Sequence, residues 1–198
     1  LVNSFLYSGI ILFLIAFPAA LVLKNPPAGF VPEGYTPPTP AAGAAKTVDL
    51  TVKDCLTSGK FWKMWTIFFL NIAAGIMFIG LQSPAGLAGV GATLVGISSL
   101  FNGVGRFFWG GLSDKIGRIQ AFRLILGSQV LVFLLFVVVG NPWIFGILVC
   151  YVLLCYGGGF GTMPSFVGDI FTAKLMPVVY GTILTAWSMA GIAGPQIA

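Results

Sequence analysis

Residues 96–118 read GISSLFNGVGRFFWGGLSDKIGR. The first part has the length and apolarity of a membrane helix, yet Arg106 sits inside it, and eight residues later the chain turns through Asp114-Lys115-Ile116-Gly117-Arg118. A guanidinium keeps its proton and costs at least about a few kcal/mol at membrane depth, so it faces a protein interior, a water-filled path or an anion. On a helix Asn102 and Arg106 are one turn apart on the same face, with Ser98 a further turn back, and together they make a polar stripe. Read from these residues alone, two placements stay open. Arg106 lines a cavity in which an anionic group lies along the stripe, or it snorkels toward the charged turn, which begins about two helical turns away.

The rest of the chain agrees that this is membrane sequence. Its 198 residues are 58% hydrophobic and 8% charged, with no histidine and a mean hydropathy of +1.00, far from soluble usage. Met64 to Gly105 and Leu124 to Gly168 carry no Asp, Glu, Lys or Arg. Each run exceeds the roughly 20 residues of one span, so each is a hairpin of two helices. The breaks fall at Gln82-Ser83-Pro84 and Gly140-Asn141-Pro142. With Leu1 to Leu23 and Pro177 to Ala198 this predicts six segments. The first segment has no basic leader and no clean small-residue cleavage pattern, so it reads as a spanning helix.

The net charge of +5 would suggest nucleic acid in a soluble chain, but here topology accounts for it. Lys24, Lys46, Lys53, Lys60 and Lys63 surround the first loop, Lys115, Arg118 and Arg123 the third, and Lys174 the fifth, while loops two and four have none. The positive-inside rule places loops one, three and five in the cytoplasm. Cys55, Cys150 and Cys155 have no metal or redox spacing and read as packing residues. No nucleophile with its base, metal cluster or phosphate loop is recognisable, so no enzyme site, metal or cofactor is expected.

Asn25 to Ala45 holds six of the twelve prolines and reads as an extended linker. After it, Thr51-Val52-Lys53-Asp54 has capping-box spacing, with Asp in place of Glu or Gln, and predicts a short helix leading into Phe61, Trp62 and Trp65, aromatics suited to the membrane interface. The expected domains are a transmembrane helix over 1–24, a cytoplasmic Pro-rich linker with its short helix over 25–59, and a helical half over 60–198. Both ends lie in apolar sequence, which reads as a piece cut from a longer chain.

Gly110, Asp114, Lys115, Gly117 and Arg118 resemble the G-x-x-x-D-[RK]-x-G-[RK] signature of the major facilitator superfamily. Glycine permits close helix approach, Asp114 can face a helix dipole, and the cations can hold carboxylates or carbonyls that release as two halves rock; the alternative is a tight turn with topogenic charge. The resemblance implies an all-α membrane bundle, here helices 6 to 11 of twelve. VPEGYTPP, FWKMWTIFFLNIAAG, SLFNGVGRFFWGGLSDKIGR and YGGGFGTMPSFVGDIF resemble the oxalate/formate antiporter family and its bacterial monocarboxylate-transporting relatives. That resemblance implies a cavity-facing Arg106 paired with a substrate carboxylate, and Asn102 donating beside it.

Tyr156 and Phe160 lie one turn apart among Gly157, Gly158, Gly159 and Gly161, and read either as cavity wall or as ordinary packing. Oxalate-carrying members place a lysine where this chain has Trp187, so the resemblance with one intramembrane cation favours a monoanion. Trp187 and Leu184 would wall the cavity, Ser188 and Thr185 offer hydroxyls, and lipid contact is the alternative for Trp187. Asn71 is equally a substrate contact or an interhelical hydrogen bond. Asp169 reads as a gate or topology residue near Lys174. The expectation is a multi-pass transporter of the bacterial cytoplasmic membrane, carrying lactate, pyruvate or formate by proton symport or anion exchange. Its partners are the carboxylate, protons or a counter-anion, the bilayer and an N-terminal half, with no nucleic acid. The alternatives are a dicarboxylate exchanger of the oxalate/formate type, a carrier of neutral or cationic solutes with Arg106 structural, and a membrane receptor without transport.

Overall fold

A computed structural model describes residues 2–24, 30, 50–81, 91–172 and 174–197. Eight helices are found there: α1 (Val2–Val22), α2 (Val52–Thr57), α3 (Gly59–Leu81), α4 (Gly91–Ile116), α5 (Arg118–Val138), α6 (Pro142–Phe171), α7 (Met176–Ile183) and α8 (Thr185–Ile197). They fall in two compact units, one containing α1 and the other containing α2 to α8. The first expected break, Gln82-Ser83-Pro84, and the Pro-rich stretch apart from Phe30 lie outside the described residues.

Local chemistry sets the helix ends. Thr51 Oγ1 accepts from the Asp54 N–H at 3.3 Å, and Asp54 Oδ2 accepts from the Thr51 N–H at 3.0 Å, so the capping box that opens α2 is closed from both sides. The Thr51 hydroxyl donates to the same carboxylate, and these bonds hold Asp54 below the usual carboxylate range. The second break is as expected: Asn141 Oδ1 accepts from the N–H groups of Trp143 and Ile144, with Pro142 in the first turn of α6, where a missing N–H costs nothing. Gly117 joins α4 to α5 at φ 88, a left-handed backbone that favours glycine.

Each of the six expected segments contains helix, and they differ in how apolar and how continuous they are. Five stretches among the described residues are long and apolar enough to cross a membrane: Asn3–Val22, Gly59–Gly80, Arg118–Val138, Pro142–Phe171 and Met176–Ile197. Helix α4 is not among them. At 26 residues it reaches roughly 39 Å, long enough to span, but its glycines, serines, Asn102, Arg106 and charged end dilute its apolarity. The last segment, expected as one helix, is interrupted at Leu184 and forms α7 and α8.

Within the second unit, α4 packs on α6, α6 on α3, and α3 on α8, while α5 lies against α6 and α4. The α4–α6 seam is built from glycine. A methyl group on Gly157 would collide with the Asn102 carbonyl, and one on Gly161 with the Arg106 backbone. Small residues four apart allow this backbone-to-backbone approach, which maximises van der Waals contact where lipid offers no hydrophobic drive. The main core gathers Phe61, Met64, Phe68, Ile72, Met163, Val167, Val179 and Ile183 between α3, α6 and α7.

Candidate functional site

The close seam decides where Arg106 goes. With its backbone against Gly161, its guanidinium carbon lies 5.4 Å from the ring centroid of Phe160, one residue earlier on α6. A cation over an aromatic face is attracted by the ring quadrupole, by about 0.5–2 kcal/mol depending on hydration. Phe160 is itself held by three rings: Phe68 edge-on at 5.1 Å, Tyr156 at 5.3 Å and Trp187 edge-on at 6.2 Å. Helices α3, α4, α6 and α8 therefore converge on one aromatic cluster carrying one guanidinium. Among the described residues Arg106 makes no ion pair. Its forked edge stays available for a carboxylate, to which it can donate two parallel hydrogen bonds.

Of the residues expected at the site, Arg106, Tyr156, Phe160 and Trp187 are brought together. Leu184 packs against the core that includes Tyr156, at the interruption between α7 and α8. Ser188 is exposed in the first turn of α8. Asn102 is half-buried; its Oδ1 is enclosed over Gly157 without a hydrogen-bond partner. Ser98 donates to its own helix at the Val95 carbonyl, 3.1 Å away.

Three residues make contacts that the sequence did not show. Asn71 is fully buried; its Oδ1 accepts from Gln129 Nε2 at 3.1 Å, an interhelical bond between α3 and α5, while its Nδ2 lies over Gly159 with no hydrogen-bond partner among the described residues. Thr185 accepts from Trp65 Nε1 at 3.0 Å and donates to the Thr182 carbonyl at 2.7 Å, which commits its one donor. Trp65 thus reaches α8 rather than serving only as an interface anchor.

Tyr180 was missed; like Tyr156 it lies within electrostatic range of Arg106. The signal was present, since Tyr180, Leu184 and Trp187 recur at helical spacing in an apolar stretch. A cavity of about 630 Å³ between α4 and α6, lined by Leu94, Ile97, Phe101, Trp143, Ile147 and Tyr151, is a different place. Its described lining carries no charged side chain and does not include Arg106, so it offers an anion no countercharge.

At the charged end of the bundle, Arg118 gathers the turn. Its Nη1 meets Asp114 Oδ1 and donates to Ser113 Oγ, each at 2.5 Å, and its Nε donates to Asp169 Oδ2 at 3.2 Å. Asp169 therefore ties the end of α6 to the start of α5, a pairing not foreseen beside Lys174. Both carboxylates are largely exposed, so each pair contributes only about 0–1 kcal/mol. Gly110 faces the Gly161 carbonyl across the seam, while Lys115 is exposed.

The chain matches the Major Facilitator Superfamily over residues 2–195. It is 30% identical to the oxalate:formate antiporter of Oxalobacter formigenes over 96% of this chain and 46% of that protein. It is 33% identical to apicoplast pyruvate carrier 1 of Toxoplasma gondii, over 68% of this chain and 27% of the relative. The uncharacterized MFS-type transporter YhjX of Escherichia coli K12 is 28% identical over 73% of this chain and 38% of its own length. The chain spans less than half the length of each of these relatives. An all-helical multi-pass membrane chain with five long apolar candidate spans among its described residues and this match belongs to the Major Facilitator Superfamily, a family of transporters and not of enzymes.

Proposed function

We propose that the protein is a secondary transporter of a small monocarboxylate, with lactate, pyruvate or formate as the substrate class, and that Arg106 binds the carboxylate. The observation that carries this reading is a guanidinium with no acidic partner among the described residues, stacked on Phe160 in an aromatic wall. The charge count favours a monoanion: one cation faces one carboxylate, and Trp187 stands where a second cation would be needed for a dianion. Asn102 supplies an amide donor beside the fork, Tyr156 a hydroxyl and Leu184, Trp187 and Ser188 the far wall. Binding neutralises Arg106 and lowers the cost of closing an apolar cavity around it, which couples occupancy to alternating access.

In this reading α1 corresponds to helix 6 of twelve and α3 to α8 to helices 7 to 11, in a bacterial cytoplasmic membrane with the Asp114–Arg118 turn inside. That turn works as a conformational latch whose ion pairs exchange as the halves rock. Proton symport needs a proton-carrying group in addition to this site, and anion exchange needs none. The likeness to the oxalate:formate antiporter supports a second reading, a dicarboxylate exchanger.

Uptake of labelled formate, lactate, pyruvate and oxalate into proteoliposomes by the complete protein tests both, with and without a pH gradient and an internal counter-anion. Arg106→Gln is expected to abolish saturable monocarboxylate flux. Undiminished flux in Arg106→Gln, or absence of carboxylate flux in folded protein, would overturn the proposal; oxalate exchange without monocarboxylate flux would select the second reading.

A further inference from the structure

The apolar stretch Met176–Ile197 is long enough for one spanning helix, yet it is interrupted at Leu184, opposite the aromatic cluster. At the interruption the Trp187 N–H bonds the Leu184 carbonyl three residues back at 3.0 Å, a tightened turn. The Thr182 hydroxyl folds back on the Val178 carbonyl at 3.0 Å, and the Thr185 hydroxyl on the Thr182 carbonyl at 2.7 Å. Hydroxyls bonded back into their own helix compete with the backbone ladder and bend it. Leu184 itself keeps a right-handed helical backbone (φ −62, ψ −14) and its N–H still bonds the Tyr180 carbonyl at 3.0 Å, so the interruption is one altered turn in an otherwise continuous stretch.

A side chain from another helix holds this joint. Trp65 of α3 donates its indole N–H to Thr185 Oγ1 at 3.0 Å, across 120 residues of chain. Its ring is fixed by stacking on Phe69 at 5.4 Å with 5° between planes, and by Trp62 at 5.9 Å. The Thr185 hydroxyl thus accepts from Trp65 and has its one donor committed to the Thr182 carbonyl. Two residues further on, Trp187 meets Phe160, and Phe160 carries Arg106. A continuous set of contacts runs from Trp65 through Thr185, Trp187 and Phe160 to the guanidinium.

We propose that Trp65 is a positioning residue for the anion site: through Thr185 it holds the joint between α7 and α8 and so sets Trp187 against Phe160 and Arg106. The inference rests on the reading of Arg106 as the carboxylate site. Losing the bond frees the wall and weakens capture of the substrate, while the steps that follow binding keep their rate.

The test uses the complete protein in proteoliposomes, with lactate, pyruvate and formate as probes. Trp65→Phe keeps an aromatic ring and removes the donor; Thr185→Val keeps the shape and removes the hydroxyl; Thr185→Ser restores it. Each of the first two is expected to raise KM roughly three- to tenfold, the range of one hydrogen bond of ordinary net strength, with turnover changed less than about twofold. The double variant is expected to be no worse than either single one, and Thr185→Ser to recover the parent KM.

A second readout needs no substrate. Ser188→Cys, labelled by a water-soluble maleimide above the background of the parent, is expected to react at a changed rate in the Trp65→Phe and Thr185→Val backgrounds and at the parent rate with Thr185→Ser. Additive effects in the double variant, a Thr185→Ser variant as impaired as Thr185→Val, or unchanged KM and labelling would overturn the inference. If Trp65→Phe does not fold, the Thr185 pair decides alone. Unchanged labelling beside intact Arg106-dependent flux removes this inference only; flux indifferent to Arg106→Gln removes the site and the inference together.

Discussion

Replacing Gly157 by alanine is expected to destabilise the protein, although alanine is the better helix former. Beyond the helix itself, a Cβ there would meet the Asn102 carbonyl and Oδ1, and would force α4 and α6 apart at the turn before Arg106. Overpacking of this kind costs about 1–3 kcal/mol. The propensity gain of roughly 1 kcal/mol offsets part of it only if the seam can relax. For roughly 150–250 residues each kcal/mol moves a thermal midpoint by about 2–4 °C, and less for a longer protein, so in the complete protein Gly157→Ala is expected to lower it by about a few °C. Gly127 in α5 is the control, since a methyl group there meets nothing within 4 Å. Gly127→Ala is expected to leave the midpoint unchanged or raise it slightly. The assay is thermal unfolding of the complete protein in detergent, paired with carboxylate KM, which is expected to rise for Gly157→Ala because Arg106 moves with α4. A midpoint for Gly157→Ala equal to or above that of Gly127→Ala would refute the close-seam account.

Trp187→Lys adds a cation beside Phe160 and Arg106, where a second carboxylate is worth several kcal/mol at an effective dielectric near 20. Oxalate affinity is expected to rise at least about tenfold relative to lactate, as read by competition for uptake; an unchanged ratio would show that Trp187 does not face the cargo. The α2 cap has a definite pH dependence. Asp54 is held below its ordinary value of 3.8, chiefly by the Thr51 hydroxyl, so its contribution is complete above the unfolded value and is lost as pH falls through the lower folded value. Amide exchange at Asp54 and Cys55, corrected for intrinsic rates, is expected to hold from pH 7 to about 5 and to rise below about pH 4. Asp54→Asn should flatten that profile, and a profile identical to the parent's would refute the assignment.

Much of this was legible in composition and spacing, because the bilayer is an unforgiving solvent. Uncharged runs longer than one span force hairpins, a buried backbone must be helical, and Asn141-Pro142 can cap only one side of a turn. Arg106 declared itself by cost alone, and the Asp114–Arg118 turn by its matched residue types. The partners were less legible. Asp169 lies near Lys174 in sequence but bonds Arg118, 51 residues away, because α5 begins where α6 ends. Nothing along the chain showed that Asn71 bonds Gln129, 58 residues away.

The sequence by itself determined what must be helical, which residues are too polar for lipid and which family the chain resembles, since those follow from transfer free energies and local spacing. Only the tertiary structure decided which polar groups satisfy one another. Thr185 and Ser188 look alike along the chain and both are exposed, yet only Thr185 accepts a hydrogen bond from Trp65. Gly127 and Gly157 look alike as well, yet only one bears a neighbouring backbone. These differences come from the mutual rotation and distance of helices, which depend on packing among residues far apart in sequence.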